Sequence, residues 1–147
     1  MVRDKLSGMA SLQAMSEGEL EELSSSCRLL HFASNERVIG EGDSSATLYL
    51  IIEGEALLST RDRRGLEREV ARLVRGEYMG MFQIMLGQPS MVSAKAITDL
   101  LLVAIPGEAA NRMLDQSPRL ARDLGSSIEA RRLAILHAQE GRTALVQ

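Results

Sequence analysis

An α+β fold is predicted, with helices at both ends of an antiparallel double-sheet roll, and three observations carry it. The first thirty residues and those after Ile105 repeat apolar residues at the helical period. Between Cys27 and Ile105 the pattern changes to short apolar runs separated by Gly, Asn, Asp and Ser turns. Runs at that spacing suit a barrel or jelly roll better than alternating βαβ units.

The elements follow in order. Met9, Leu12 and Met15 have the spacing of a first helical turn, and Ser16 with Glu19 forms a capping box that opens a helix carrying Leu20 and Leu23. Helices are therefore expected over residues 5–26. Seven strand-like runs follow within residues 27–105: CRLLHF, RVIG, LYLIIE, EALLSTR, REVARLV, AKAIT and LLLVAI. Alternation in AKAIT turns Ala94 and Ala96 inward and Ser93 and Lys95 outward. Pro106 suits a first helical position, opening a helix over residues 106–116 with Ala109, Ala110, Met113 and Leu114 on one side. Ser117-Pro118 reads as N-cap and first turn of a longer helix over residues 117–139. Its apolar stripe is Leu120, Leu124, Ile128, Ala134 and Ile135. Gly125 weakens its middle by about 1 kcal/mol relative to Ala. Residues 1–140 read as one domain, and the tail over residues 141–147 is expected to fray.

Composition narrows the function. The chain has 147 residues, 45% hydrophobic and 25% charged, as in an ordinary soluble globular domain. A net charge of −3 gives no attraction to nucleic acid, and the four aromatic residues supply no stacking platform. The single cysteine, Cys27, excludes an internal disulfide and reads as a buried small hydrophobe. His31 and His137 stand far apart with no nucleophile or metal spacing around them, so neither catalysis nor a metal site is expected. His31, in a strand-like run, is assigned a structural role. No signal pattern or membrane-length apolar run is present, so a cytoplasmic location is the default expectation.

Residues 76–96, GEYMGMFQIMLGQPSMVSAKA, form the candidate site. Gly80 permits a tight turn, and the amides from Met81 to Gln83 would open a helical turn toward an anion. Yet no charged side chain lies between Gly80 and Ser93.

This segment resembles the phosphate-binding cassette of cyclic nucleotide-binding domains, G-x-x-x-G-E-x-x-L-x-x-x-x-P-R-x-A-x-x-x-A, with Gly76, Gly80, Ile84, Pro89 and Ala96 on matching positions. IGEGDSSATLYLIIEGEALL, residues 39–58, resembles that family's G-D-x-x-x-x-L-Y-x-I-x-x-G-x-V segment through Gly42, Asp43, Leu48, Tyr49, Ile51 and Gly54. The resemblance covers roughly residues 10–135. It implies an eight-stranded antiparallel β-roll with N-terminal helices, a hinge helix at 106–116 and a lid helix at 117–139. It also implies a regulatory domain that carries a signal through its C-terminal helices. The ligand-binding positions it implies are Gly80, Met81, Phe82, Gln83, Ser90, Met91 and Val92. Met81 occupies the family's ribose-binding Glu position, Ser90 its phosphate-binding Arg position, and Val92 a position where Ala is usual.

Hydrogen bonds to charged partners contribute about 1.5–3 kcal/mol each. Losing both anchors costs roughly 3–6 kcal/mol, or about two to four decades of affinity. Weak or absent cyclic AMP and cyclic GMP binding is the expectation, with no other cofactor. Met79, Met81, Met85 and Met91 cluster here. Met79 and Met85 read as core residues of the roll, and Met81 and Met91 as fillers of the space a nucleotide would need.

Two further arrangements follow from resemblance. Cyclic AMP receptor proteins join this domain to a helix-turn-helix, for which no residues remain here, so DNA reading is expected to need a partner. Residues 67–105 with the IEARR at 128–132 also resemble the cytoplasmic domain of some bacterial small-conductance mechanosensitive channels, and more distantly cyclic nucleotide-gated channels. Attachment to a channel, a homodimer through the Leu120–Leu124–Ile128–Ile135 stripe, an interaction module without ligand, and a sensor of a different small ligand are the alternatives.

Overall fold

The computed structural model describes residues 2–141. Two short turns of helix lead the chain, α1 (Val2–Ser7) and a 3₁₀ turn at Ala10–Leu12, followed by α2 (Glu17–Ser26). Helix therefore begins three residues before the predicted start. Both bonds of the capping box are present at α2: Glu19 N–H donates to Ser16 Oγ at 3.1 Å and Ser16 N–H donates to Glu19 Oε1 at 2.9 Å. Leu6, Met9, Leu12, Leu20 and Leu23 point from this segment into the core.

Eight strands follow: β1 (Arg28–Phe32), β2 (Arg37–Ile39), β3 (Thr47–Glu53), β4 (Ala56–Arg61), β5 (Glu67–Leu73), β6 (Tyr78–Met79), β7 (Ser93–Ala96) and β8 (Leu100–Pro106). They form two four-stranded sheets, in the orders β1-β8-β3-β6 and β2-β7-β4-β5, with antiparallel pairing throughout. This is the antiparallel roll that the patterning and the family resemblance imply. Leu48, Leu50, Leu58, Ala94, Ala96, Leu102 and Ile105 fill the space within it. Ala94 and Ala96 face inward on β7 and Lys95 is exposed, as the alternation requires. Register shifts at Ile51/Glu53 and Leu58/Ser59 mark where strands bend, which explains unbroken burial from Leu50 to Ile52 and from Ala56 to Thr60.

The chain then passes into α3 (Gly107–Gln116) and α4 (Pro118–Gln139). Pro106 closes β8 and precedes α3 with an extended ψ of 152°, rather than occupying its first turn. Ser117 caps α4, its Oγ accepting Leu120 N–H at 3.3 Å, with Pro118 in the first turn. α4 lies across β4 and β5 and buries Leu120, Leu124, Ile128, Ile135 and Ala138. His31 is exposed on β1 while Leu30 and Phe32 on either side of it are half-buried, so its side chain is turned to solvent, contrary to the structural role assigned to it. Cys27 is buried at the end of α2, and burial pushes its thiol up to about 11. The fraying assigned to residues 141–147 falls, beyond Gly141, outside the described residues. No described helix is long and apolar enough to cross a membrane.

Candidate functional site

β6 ends at Met79, and Gly80 turns the chain at a φ of 87°, where a Cβ would run into the Thr47 carbonyl oxygen. A single π-helical turn, Phe82–Leu86, follows, closed by Gly87 in the left-handed region. The turn after Gly80 has two sides with different surroundings.

One side opens onto a cavity of about 270 Å³ walled by Gly80, Phe82, Gln83 and Ser90 from the cassette and by Val38, Ile39, Asp43, Ser45, Thr47 and Tyr49 from β2, β3 and the loop between them. Asp43 is the one charged residue among these. Its Oδ2 accepts Gly40 N–H at 2.7 Å, which leaves Oδ1 for another donor. The loop is fastened to the cassette by its backbone: Ser90 N–H donates to Asp43 O and Gly42 N–H to Ser90 O, both at 2.8 Å. Ser90's hydroxyl donates to Val92 O at 2.7 Å and accepts Val92 N–H at 3.3 Å, so it is occupied with its own turn. The cavity wall thus combines an apolar floor, several hydroxyls and one carboxylate, and holds no cation.

The other side faces α4. Met81 is 1% exposed and joins the contiguous core, beside Leu120 and Leu124. Val92 is buried, and Met91 is partly buried against the core. Of the seven sequence-assigned positions, the structure brings Gly80, Phe82, Gln83 and Ser90 to the cavity wall, while Met81, Met91 and Val92 lie outside it. Met79 is fully buried and Met85 partly so.

Sequence reasoning did not assign Val38, Ile39, Asp43, Ser45, Thr47 or Tyr49 to the site. The available signal was the G-D-x-x-x-x-L-Y match itself, because a loop that matches in register must lie where the family's loop lies. Lys95, the one cation within residues 76–96, is exposed on β7.

α4 is held over this region by polar as well as apolar contacts. Arg131 donates from Nη1 to Tyr78 O at 3.2 Å, and burial lowers its pKa against the opposing pull of Glu77. At the far end of the helix Gln139 Nε2 donates to Thr60 Oγ1 at 3.3 Å, and Thr60 Oγ1 donates to Glu41 Oε2 at 3.4 Å. Glu41 belongs to the same loop as Asp43, so that loop is linked to α4 through Thr60, while Tyr78 on β6 is bonded to it directly.

A glycine-framed turn, a short helical cassette, an eight-stranded roll and a covering C-terminal helix define a β-roll domain with a cassette cavity. The chain belongs to the cyclic nucleotide-binding domain family, whose model matches residues 29–117. It is 29% identical over 107 residues to a cAMP-dependent protein kinase regulatory subunit from Mycosarcoma maydis, covering 69% of this chain and 20% of that protein. It is 25% identical over 130 residues to the cAMP-activated global transcriptional regulator of Salmonella typhimurium, covering 86% of this chain and 60% of the regulator. Among solved structures it resembles the regulatory subunit of a cAMP-independent protein kinase A from Trypanosoma cruzi bound to guanosine, at a TM-score of 0.70 and 20% identity, over 76% of this chain and 40% of that one. The chain therefore spans only part of the length of these relatives.

Proposed function

We propose that this chain is a regulatory sensor domain whose cassette does not take cyclic nucleotides at the usual affinity and instead accepts an uncharged, hydroxyl-bearing ligand such as a nucleoside. The observation that carries this reading is the cavity wall, in which Asp43 is the sole charge. A cyclic phosphate placed there would meet a carboxylate and no cation, and like charges at contact distance disfavour binding. A ribose hydroxyl would instead donate to Asp43 Oδ1, while a base would lie on Phe82, Ile39 and Val38. A volume of about 270 Å³ approaches the lower end of small-molecule sites, roughly 300–1,000 Å³. The Trypanosoma cruzi relative bound to guanosine supports a phosphate-free ligand in this fold.

The output is α3 and α4. A ligand shifts them only by binding one of their arrangements more tightly than the other. The hydrogen bonds of Arg131 to β6 and of Gln139 toward the Glu41 loop give α4 two polar points at which movement of the cassette would be felt. Titration calorimetry with guanosine, adenosine, cyclic AMP and cyclic GMP tests the reading. Saturable nucleoside binding, with the cyclic nucleotides about a hundredfold or more weaker, is the expected result. Cyclic nucleotide binding as tight as nucleoside binding overturns it, and so does a nucleoside that fails to saturate.

A further inference from the structure

A second concavity of about 180 Å³ lies on the α4 side of Met81, between the N-terminal 3₁₀ turn, the turn into β6 and the lid helix. Its polar groups are Ser11, Glu77, Tyr78, Asp123, Ser127 and Arg131, and its apolar wall is Met81, Leu120 and Leu124. Asp123, Ser127 and Arg131 stand one above another on α4 at four-residue steps, so one helix face presents an acid, a hydroxyl and a base to the groove.

Arg131 is the unusual group. A guanidinium offers five N–H donors, and among the described residues this one makes a single hydrogen bond, to Tyr78 O. No carboxylate lies within ion-pair distance of it among the described residues, although Glu77 is close enough to act on it through space. Glu77 Oε1 is engaged with Val74 N–H at 2.8 Å, leaving Oε2 unassigned. Ser11 Oγ and Tyr78 Oη are hydrogen-bonded to each other at 2.8 Å, which fixes the opposite rim. The groove is thus lined by an acid and a base that form no ion pair with each other, together with the hydroxyls of Ser11, Tyr78 and Ser127.

We infer that this groove binds a free α-amino acid, with the ligand carboxylate on the Arg131 guanidinium and its ammonium on the Glu77 carboxylate. An α-amino acid headgroup carries both charges on one carbon and adds no net charge, which suits a groove holding one base and two acids. A planar fork is the natural partner of a carboxylate. Asp123, Ser127 and Ser11 face the side chain and favour a polar one. The groove, at about 180 Å³, is smaller than the cassette cavity of about 270 Å³, which suits a ligand smaller than a nucleoside. Because the groove joins the N-terminal segment, β6 and α4, an occupant would fasten the lid helix independently of the cassette cavity.

The test uses the whole chain, titrated calorimetrically with free amino acids at millimolar concentration. Their N-acetyl and carboxamide derivatives, each lacking one headgroup charge, serve as controls. At least one free amino acid should saturate, and both derivatives should bind about tenfold or more weakly. Arg131→Lys keeps the charge but loses the fork and should weaken binding by a similar factor. If that variant unfolds, Glu77→Gln, on an exposed side chain that retains its Oε1 acceptor, serves the same purpose. In amide NMR spectra the ligand should shift Glu77, Tyr78 and Ser127. The inference is overturned if no amino acid saturates, if the blocked derivatives bind as well as the free ones, or if the shifts fall on Gly80, Gln83 and Ser90. Nucleoside binding at the cassette is measured separately and does not bear on this outcome.

Discussion

The β3–β4 corner and the cassette both match their family in sequence spacing, yet their side chains are engaged differently: the corner's are packed into the core, and the cassette's divide between the core and a cavity wall. The corner works through backbone and packing. Leu48, Leu50 and Ile51 are fully buried, and Gly54 turns at a φ of 96° where a Cβ would strike the Asp99 carbonyl. The cassette works in two layers. Its backbone layer, Gly80 against Thr47 and Ser90 against Asp43, is intact. Its side-chain layer has a thioether in the core at Met81 and a hydroxyl turned on its own backbone at Ser90. Positions that hold the roll together are constrained by every neighbour, whereas an anchor for a ligand is constrained only by the ligand. The two therefore change independently.

The largest expected effect on binding breaks that separation by putting a charge back into the side-chain layer at the position that lines the cavity. Ser90→Arg should raise cyclic AMP affinity by about one to two decades, the gain of one charge-assisted bond at about 1.5–3 kcal/mol. Calorimetry of the variant beside the parent measures it. A folded variant with unchanged affinity would mean that the Asp43 carboxylate, rather than the missing cation, decides what enters.

The backbone layer is tested next. Gly80→Ala meets both the strain of a left-handed φ, about 1–2 kcal/mol, and overpacking against Thr47, about 1–3 kcal/mol. The expected loss is about 2–5 kcal/mol in urea unfolding, and Gly54→Ala should lose as much by the same route. Equal losses would show that the cassette's frame is as constrained as the corner's, although their side chains are not.

These two layers also explain what could be read in advance. The capping box at Ser16, the cap at Ser117 and the inward Ala94 and Ala96 were legible because each is a local pattern with a local cause. β6 was not, since two residues, Tyr78 and Met79, carry no period and pair only because β3 lies beside them. Pro106 was misplaced by one element: a proline without an N–H suits the last position of a strand as well as a first helical turn, and the β3 pairing at Thr47 decides. The cavity's second wall escaped notice because Asp43, Ser45 and Thr47 meet Gly80 and Ser90 only in three dimensions.

A smaller effect compares the helical entry with the roll it supports. Ser16→Ala removes the acceptor for Glu19 N–H and leaves the Glu19 carboxylate without its reciprocal lock, which should cost about 1 kcal/mol. Urea unfolding followed by circular dichroism measures it. A loss confined to α2, with the nucleoside affinity unchanged, would place the N-terminal helices outside the sensing unit.

The smallest effect concerns the β4–β5 hairpin, which lies under the end of α4 through the bond from Arg63 N–H to Gln139 O. Asp62 closes this hairpin, accepting from Arg68 Nε at 2.8 Å and from the backbone N–H groups of Arg64 and Leu66. The bond from Arg68 holds its carboxyl below the ordinary value of 3.8, aided by the two backbone donors and opposed by partial desolvation. A carboxyl whose folded pKa is depressed contributes stability above its unfolded pKa and loses it as pH falls through the folded one. Asp62→Asn should therefore lower the melting temperature at neutral pH, and its difference from the parent should close below about pH 4. A difference that stays constant through the acid range would mean that Asp62 shapes the turn through its oxygen positions alone, the same distinction between frame and charge that separates the corner from the cassette.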